Sequence, residues 1–567
     1  MRKMKLRVIS LLLIMIMCVS ALAGCGNKDK GGNVDLSATY YNKTGYPICD
    51  DPISIKVSGI NEYLCAWNDT VMVEKVQEKL GIRMDCSPFT KEAWSQQYAL
   101  MLSTGQIPDL IISATMNRSQ VNEDGEMGFW LDFSDYLEIM PNFVAFMEEH
   151  PDYAASIKTA DGGIYSLSRY QVAETNLVYT QIYYDKTLTD AAGVGKIETV
   201  DDFYNALKLC KEKYPDKIPL GMTPGKSPGY RADMIIRSAF GVTSSENTYM
   251  LHADSKGKIG LLDISDNYRQ SLIYENKLYK EKLLDNQCFS MTSDQYRENI
   301  KKGKYIFYTD TDTLIMTTED QKAYNAGNYD VMDKYEPLFC LTSDLQPEKT
   351  YLKIAPVVHQ AKIFVNASTQ YPEAICRLID YFFTEEGMLL STEGVEGVTY
   401  DLVDDGYGNQ LYDHTNYWDQ EEYNSSTEWS MNEIAPFDAI AFAWRHDIAY
   451  LNDVSEDTLK QMTSDPSYIN FWEAKKMLRY KNTVEKELNS ILPLSYTTEE
   501  TNELTTLRGD IVNYVSKMKS SFMSGETDPN DDKAWNDYVK QVKKMGYDRL
   551  MEIEQAAYDR LMKNLEE

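Results

Sequence analysis

Between residues 53 and 112 two hydrophobic patterns take turns. Ile53-Ser54-Ile55-Lys56-Val57 is apolar at every second position, the period of a half-buried strand. After a loop from Gly59 to Asp69, Val73, Val76 and Leu80 recur at helical spacing and Gly81 supplies the stop. Ile82-Arg83-Met84-Asp85-Cys86 alternates again, Trp94 to Leu102 reads as a helix, and Gly105 and Pro108 bracket a turn. Asp109-Leu110-Ile111-Ile112 then becomes continuously apolar, as a strand covered on both faces does. Strand, helix, strand, helix, strand predicts a doubly wound α/β unit.

Further along, Lys304 to Tyr308 is a strand of β-formers leading into Thr309-Asp310-Thr311-Asp312. Lys353 to Val358 and Ile363-Phe364-Val365 read as short strands. From Ser430 onward helical patterns dominate, and Leu550, Ile553, Ala557 and Leu561 would share one buried face. No period of 20–50 residues repeats, which excludes a solenoid. With 567 residues, 43% hydrophobic and 25% charged, the chain has material for two or more lobes.

The N-terminus follows a different logic. Arg2, Lys3, Lys5 and Arg7 precede an almost wholly apolar run, Val8 to Val19, and then small residues. That order is a secretory signal peptide, and its apolar run is short for a membrane span. Leu22-Ala23-Gly24-Cys25 resembles the bacterial lipoprotein box, which implies cleavage before Cys25 and lipidation of it. Gly26 to Gly32 has no apolar side chain and reads as a flexible tether. Residues 1–24 are thus expected to be signal and 25–49 a leash to the outer face of the cell membrane.

A family resemblance emerges from motifs in order. Leu100 to Ile111, with Ser103-Thr104-Gly105 and Pro108-Asp109-Leu110, resembles a signature of the extracellular solute-binding proteins of bacterial ABC importers, the maltose-binding-like carbohydrate receptors. Gly162-Gly163-Ile164-Tyr165-Ser166-Leu167, Tyr183-Tyr184-Asp185-Lys186 and Thr199-Val200-Asp201-Asp202-Phe203 resemble later segments of the same family. Thr199 also has its own logic as a helix cap, with Asp202 as a capping-box partner. Pro372-Glu373-Ala374, Leu378 to Gly387, Gly394 to Tyr400 and Trp535 to Tyr558 are similar to its longer lipoprotein subgroup. One departure stands out. Where many members of that subgroup carry a calcium-like loop, this chain has only Tyr214-Pro215-Asp216-Lys217-Ile218-Pro219-Leu220, with a single carboxylate.

The resemblance implies a two-lobe α/β fold of the periplasmic-binding-protein type with a hinge and a helical C-terminal extension. Residues 50–173 and 360–425 would form one lobe, and 177–358 and 430–567 the other. Crossings are expected near 173–177 and 359–363, with a candidate third around 425.

Several chemistries are excluded by composition and spacing. Gly225-Lys226-Ser227-Pro228-Gly229 matches a nucleophile-elbow pattern, but Pro228 has no N–H to offer an oxyanion. None of the five histidines sits at metal-ligand spacing, and no metal is expected. Asp528-Pro529-Asn530-Asp531-Asp532 mimics a calcium loop, yet Asp531 or Asp532 more simply caps the helix holding Trp535. No phosphate-binding glycine loop occurs, so ATP and other cofactors are not expected. After Cys18 and Cys25 seven scattered cysteines remain, without a CxxC, and they read as buried small hydrophobes. A net charge of -30 disfavours nucleic acid and anionic lipid as partners.

What remains is aromatic: 41 tyrosines, 17 phenylalanines and 8 tryptophans. Rings pack on the C–H faces of sugars while Asp, Asn, Glu and Arg bond the hydroxyl rim. Ligands of open α/β sheets bind beyond the carboxyl ends of strands, which selects candidates. Trp67 and Asn68 follow the first strand; Trp94 opens the helix after the second, with core packing as its competing role. Asn117 and Arg118 follow the third, and Trp130 divides between burial and contact. The family resemblance adds Glu174 near the first crossing, Asp310 and Asp312 after a strand of the second lobe, and Trp429, Trp444 and Arg445 in a late cleft-closing segment. The expected function is a lipid-anchored, monomeric, non-enzymatic receptor that captures an oligosaccharide and hands it to ABC permease subunits. A surface glycan-degrading enzyme stays open as a rival, as do a surface adhesion lipoprotein and the same scaffold with a peptide or other solute as cargo.

Overall fold

The computed structural model describes residues 36–566 except 62–64, 113, 115, 161, 171–180, 224–231, 243–249, 310–313, 354–357, 419–425, 436–450, 452–453, 469 and 490. In chain order its strands are β1 (Ile53–Gly59), β2 (Ile82–Cys86), β3 (Leu110–Ile112), β4 (Leu167–Tyr170), β5 (Ile182–Asp185), β6 (Ile218–Gly221), β7 (Leu251–Ala253) and β8 (Ile259–Leu261). Then come β9 (Tyr305–Thr309), β10 (Tyr335–Leu338), β11 (Thr350–Lys353), β12 (Val358–Val365), β13 (Asp401–Asp404), β14 (Gln410–Asp413) and β15 (Lys486–Asn489). Two larger sheets result, ordered β2-β1-β3-β12-β4 and β10-β5-β9-β6.

The first sheet is the predicted doubly wound unit with one addition. β1 pairs in parallel with β2 and β3, and β12 arrives antiparallel between β3 and β4. The helix between β1 and β2, Val71–Leu80, buries Val73, Val76 and Leu80 as its spacing requires. Gly81 ends it in the left-handed region at φ 70°, and a Cβ there would stand 2.1 Å from the Cys49 carbonyl oxygen. The next helix, Lys91–Thr104, is longer than the apolar pattern suggested because Thr90 caps it and polar residues fill its exposed face. Val358 pairs with Tyr170, so the chain is part of the first sheet at residue 358. The strand expected over 353–358 is divided: Thr350–Lys353 pairs with β15 in a separate ribbon.

Two large cores lie apart. One gathers Ile55, Val57, Trp67, Leu80, Phe143, Tyr153, Ile375 and Trp429 around the first sheet. The other gathers Phe203, Leu220, Ile236, Leu272, Ile306, Phe522, Trp535 and Leu550 around the second. Ile434 and Ala435, assigned from sequence to the second lobe, pack in the first core. The C-terminal helices Thr498–Ser524, Asp532–Lys544 and Tyr547–Glu566 join the second core, the first packing on the helix Asp266–Lys280 and the last on β8, and Leu550, Ile553, Ala557 and Leu561 are all buried as predicted. Asp531 caps its helix by accepting from the Lys533 N–H at 2.8 Å.

Ionic chemistry fastens these helices to the second lobe. Buried Arg237 forks onto Glu275 at 2.9 and 3.0 Å and reaches Asp233 at 3.0 Å. Lys519, from the long C-terminal helix, joins Asp233 at 3.2 Å. Buried charges persist only in such paired geometry, and losing one partner strands the others in a low dielectric. The extension also touches the first lobe: helix Tyr547–Glu566 packs on Pro151–Ile157, Ser495 donates to the Lys158 carbonyl at 2.7 Å, and Thr498 donates to Glu126 at 3.1 Å. All seven body cysteines are free thiols and buried, as their apolar settings suggested.

Candidate functional site

The parallel strands of the first sheet deliver their carboxyl ends together. Beyond β1, Ile60 bridges Phe89 beyond β2, and the Asn61 N–H donates to the Phe89 carbonyl at 2.8 Å. The Asn61 side chain folds the next turn back on itself, accepting from Cys65 N–H and donating to its carbonyl, both at 2.9 Å. Gly59 is obligatory at this edge: a Cβ would lie 1.7 Å from the Ile112 carbonyl oxygen and 3.2 Å from the Trp67 ring. Beyond β3, Asn117 caps the helix Arg118–Glu126 by accepting from the Ser119 N–H at 3.0 Å. Phe89 and Met116 are half-buried and Asn117 is exposed, so this edge presents one ring, one thioether and one amide.

The candidate residues divide on this frame. Trp67 is only 2% exposed and sits in the first core rather than on the loop surface, because the loop folds it back under β1. Asn68 is exposed, but its amide is engaged with Cys86 in both directions, at 2.9 and 3.0 Å, pinning the end of β2. Trp94 and Trp130 belong to a smaller core on one face of the sheet with Tyr98, Ile111 and Phe364. Trp94 Nε1 points to the Met116 sulfur at 3.1 Å, and Trp130 Nε1 donates to the Tyr98 hydroxyl at 3.3 Å. Tyr98 in turn donates to Asp124, whose carboxyl burial pushes up against the opposing pull of Tyr98 and Gln120. Arg118 is buried beneath the sheet, donating to the Ser156 carbonyl and to Ser168 Oγ at 2.9 Å, and burial lowers its pKa to about 10. Trp429 is buried in the first core against His414, with ring centroids 5.2 Å apart. Glu174, Asp310, Asp312, Trp444, Arg445 and Cys25 lie outside the described residues, as does the 225–229 motif.

The second sheet offers an edge where the sequence reading singled out Asp310 and Asp312 but not Thr223, Thr309 or Tyr296. β6 and β9 are parallel, with Gly221 beside Tyr308, so Thr223 and Thr309 emerge together at their carboxyl ends. Tyr296 staples this edge: its hydroxyl donates toward the Gly221 and Thr309 carbonyls at 3.0 and 2.8 Å and accepts from Thr309 N–H at 3.0 Å. The hydroxyls of Thr223 and Thr309 are buried and make no hydrogen bond. Gln181, at the start of the antiparallel neighbour β5, is fully buried and donates to the Tyr183 hydroxyl. A sequence signal exists for Thr309 alone: the run of β-formers continues one residue past Tyr308, which makes Thr309 its polar terminus.

Among the described residues no three His, Cys, Asp or Glu side chains converge to hold a metal ion. Where a calcium loop would need several carboxylates, Lys217 instead places its ammonium on the Gly303 carbonyl. Among the described residues no helix is long and apolar enough to cross a membrane.

Comparison with known proteins agrees with this architecture. Residues 87–389 match the family model for bacterial extracellular solute-binding proteins. The fructooligosaccharide ABC transporter substrate-binding protein FusA of Streptococcus pneumoniae is 20% identical over 544 residues, covering 93% of each chain. Lipoprotein LipO of Bacillus subtilis is 19% identical over 474 residues, 81% of this chain and 83% of that one. Among solved structures, FusA with kestose superposes at a TM-score of 0.66 and 17% identity over 90% of this chain and all of that one. The alginate-binding protein AlgQ2 without calcium ion gives 0.64, at 17% identity over 90% of this chain and 98% of that one. With more than half its length inside the family model and nearly all of it inside the two-lobed fold, the chain belongs to the bacterial extracellular solute-binding proteins.

Proposed function

We propose that this chain is the lipid-anchored receptor of an ABC importer and that its cargo is an oligosaccharide. The observation that carries the reading is that each of two separately cored α/β lobes ends its strands in groups suited to a sugar: Phe89, Met116 and Asn117 in the first, and the buried, unbonded hydroxyls of Thr223 and Thr309 in the second. A half-buried ring and thioether suit a sugar face, and hydroxyls buried without partners suit its rim, since such groups cost free energy until a ligand bonds them. Ligand held by both edges stabilises a closed arrangement, and that differential affinity drives lobe rotation. Relatives named for fructooligosaccharide and alginate support a saccharide over a peptide. Glu174, Asp310 and Asp312 remain the proposed rim contacts.

A thermal-shift screen of the mature chain against kestose, nystose, alginate oligosaccharides and N-glycans tests this. A ligand at a hundred times its Kd stabilises the native state by about 2.7 kcal/mol. The expected result is a raised melting temperature with one glycan class and the glycan recovered intact. Release of shorter glycans, or a shift with peptides only, would overturn it.

A further inference from the structure

Of the eight residues of the ribbon β13–β14, Leu411 alone is buried. Leu402 and Val403, on opposite faces of β13, are 43% and 41% exposed. A free two-stranded ribbon is marginal in water, so something must hold it at its ends. Its base is tied to the first lobe. His414 is bonded through Nδ1 to the Thr399 carbonyl at 2.7 Å and through Nε2 to Glu393 at 3.0 Å, and its ring meets buried Trp429. Tyr417, which donates to Asp401 at 3.0 Å, and Trp418 pack against the first core.

The tip is tied elsewhere. Asp405 folds the turn by accepting from the backbone N–H of Tyr407 and Asn409 at 2.8 and 3.0 Å, and from the Asn409 amide at 2.8 Å. The same carboxylate accepts from the Tyr468 hydroxyl at 3.1 Å, and the rings of Tyr407 and Tyr468 meet edge to face, 5.4 Å between centroids. Tyr468 lies between the helices Glu456–Met462 and Phe471–Thr483. That pair is fixed to the second lobe. Phe471 and Trp472 pack with Tyr183 and Tyr335, Lys475 reaches Glu336 at 3.2 Å, and Tyr480 meets Phe339 and Tyr351.

We infer that the β13–β14 ribbon is a non-covalent strap between the lobes, and that the contact of Asp405 and Tyr407 with Tyr468 is the clasp that sets the lobe equilibrium in the absence of ligand. The base is held by several bonds and the buried Trp429 ring, the tip by one hydroxyl bond and one ring contact, so the clasp is the part that yields when the lobes rotate. The device rests on the two-lobe fold and not on the identity of the cargo.

The test reads the lobe-to-lobe distance without ligand, so failure of the saccharide reading leaves it intact. Spin labels at Leu100→Cys and Leu209→Cys, exposed helical positions of the two lobes, report a distance distribution in the mature protein. The native thiols are buried, and burial pushes Cys86 and Cys340 up to about 12, which keeps labelling selective. Tyr407→Ala removes the ring contact and is expected to depopulate the parent arrangement about tenfold. Tyr468→Phe, which removes only the hydroxyl and cannot unfold the helix pair, is expected to shift the same distribution in the same direction by a smaller factor. A parent distribution retained in both variants would overturn the strap; a shift in both with unchanged circular dichroism would support it.

Discussion

Asp263 shows how one side chain ties stability to pH. Its carboxylate is buried and accepts from the Met250 N–H at 2.6 Å. Burial pushes its pKa up to about 6, against the smaller pull of that bond and of Arg237 and Lys519. The folded state therefore holds a proton that the unfolded chain, titrating near 3.9, has already released. Stability contributed by this group falls as pH climbs from about 4 to about 6 and is level above, a loss of about 3 kcal/mol at ~1.4 kcal/mol per unit. Asp263→Asn keeps the acceptor and discards the charge. Urea unfolding should find the variant more stable than the parent at pH 7 and the gap closed near pH 4; a gap independent of pH would refute the assignment. Neither this acid nor the Arg237 fork was legible beforehand, because a buried charge is recognised by its partners and only Asp233 is local to Arg237: Glu275 is 38 positions from it, and Lys519 is 286 from Asp233.

Elements were far more legible, since their causes are local. The helix Val200–Lys213 was read from Thr199 and Asp202, and both arms of the capping box form: Thr199 Oγ1 accepts from Asp202 N–H and Asp202 from Thr199 N–H, each at 3.0 Å. Two donors that the helix cannot satisfy internally are bonded there. Thr199→Ala should cost about 1 kcal/mol locally. Hydrogen-exchange mass spectrometry should then show the first-turn amides of this helix exchanging about fivefold faster, with the helix Asp266–Lys280 unchanged. Equal protection in parent and variant would show that tertiary packing alone holds the turn. Boundaries were the weaker part of the reading. β12 runs from Val358 to Val365 as one strand because pairing with both β3 and β4 extends it beyond its apolar tripeptide.

For the whole molecule, location is the outstanding consequence of the sequence. The basic start, the apolar run and Leu22-Ala23-Gly24-Cys25 make Cys25 the proposed acylation site, and a relative named as a lipoprotein supports it. More than one acyl chain is needed for stable anchoring. Cys25→Ser should therefore move the protein from the membrane pellet to the medium or periplasmic fraction, with an unaltered melting temperature. Persistence in the pellet would sink the anchor. The proposed function asks the two cores to rotate as bodies while the C-terminal helices that reach Lys158 and Glu126 and the ribbon that contacts Tyr468 join them.

By itself the sequence determined the α/β alternation, the helix stop at Gly81, the turn at Gly105, the cap at Thr199, a cap at Asp531 or Asp532 and the buried face of the last helix. Each follows from side chains within one turn or one pleat, where period and capping chemistry act. It also placed the family through motifs in order. Only the tertiary structure decided which aromatic residues are core. Trp67, Trp94, Trp130 and Trp429 are all nearly fully buried, because a ring beside a strand end is drawn under whichever apolar surface the fold brings over it. Likewise Thr223, Thr309 and Tyr296 became an edge only when parallel pairing set β6 beside β9, a juxtaposition across more than 80 residues that no local pattern encodes.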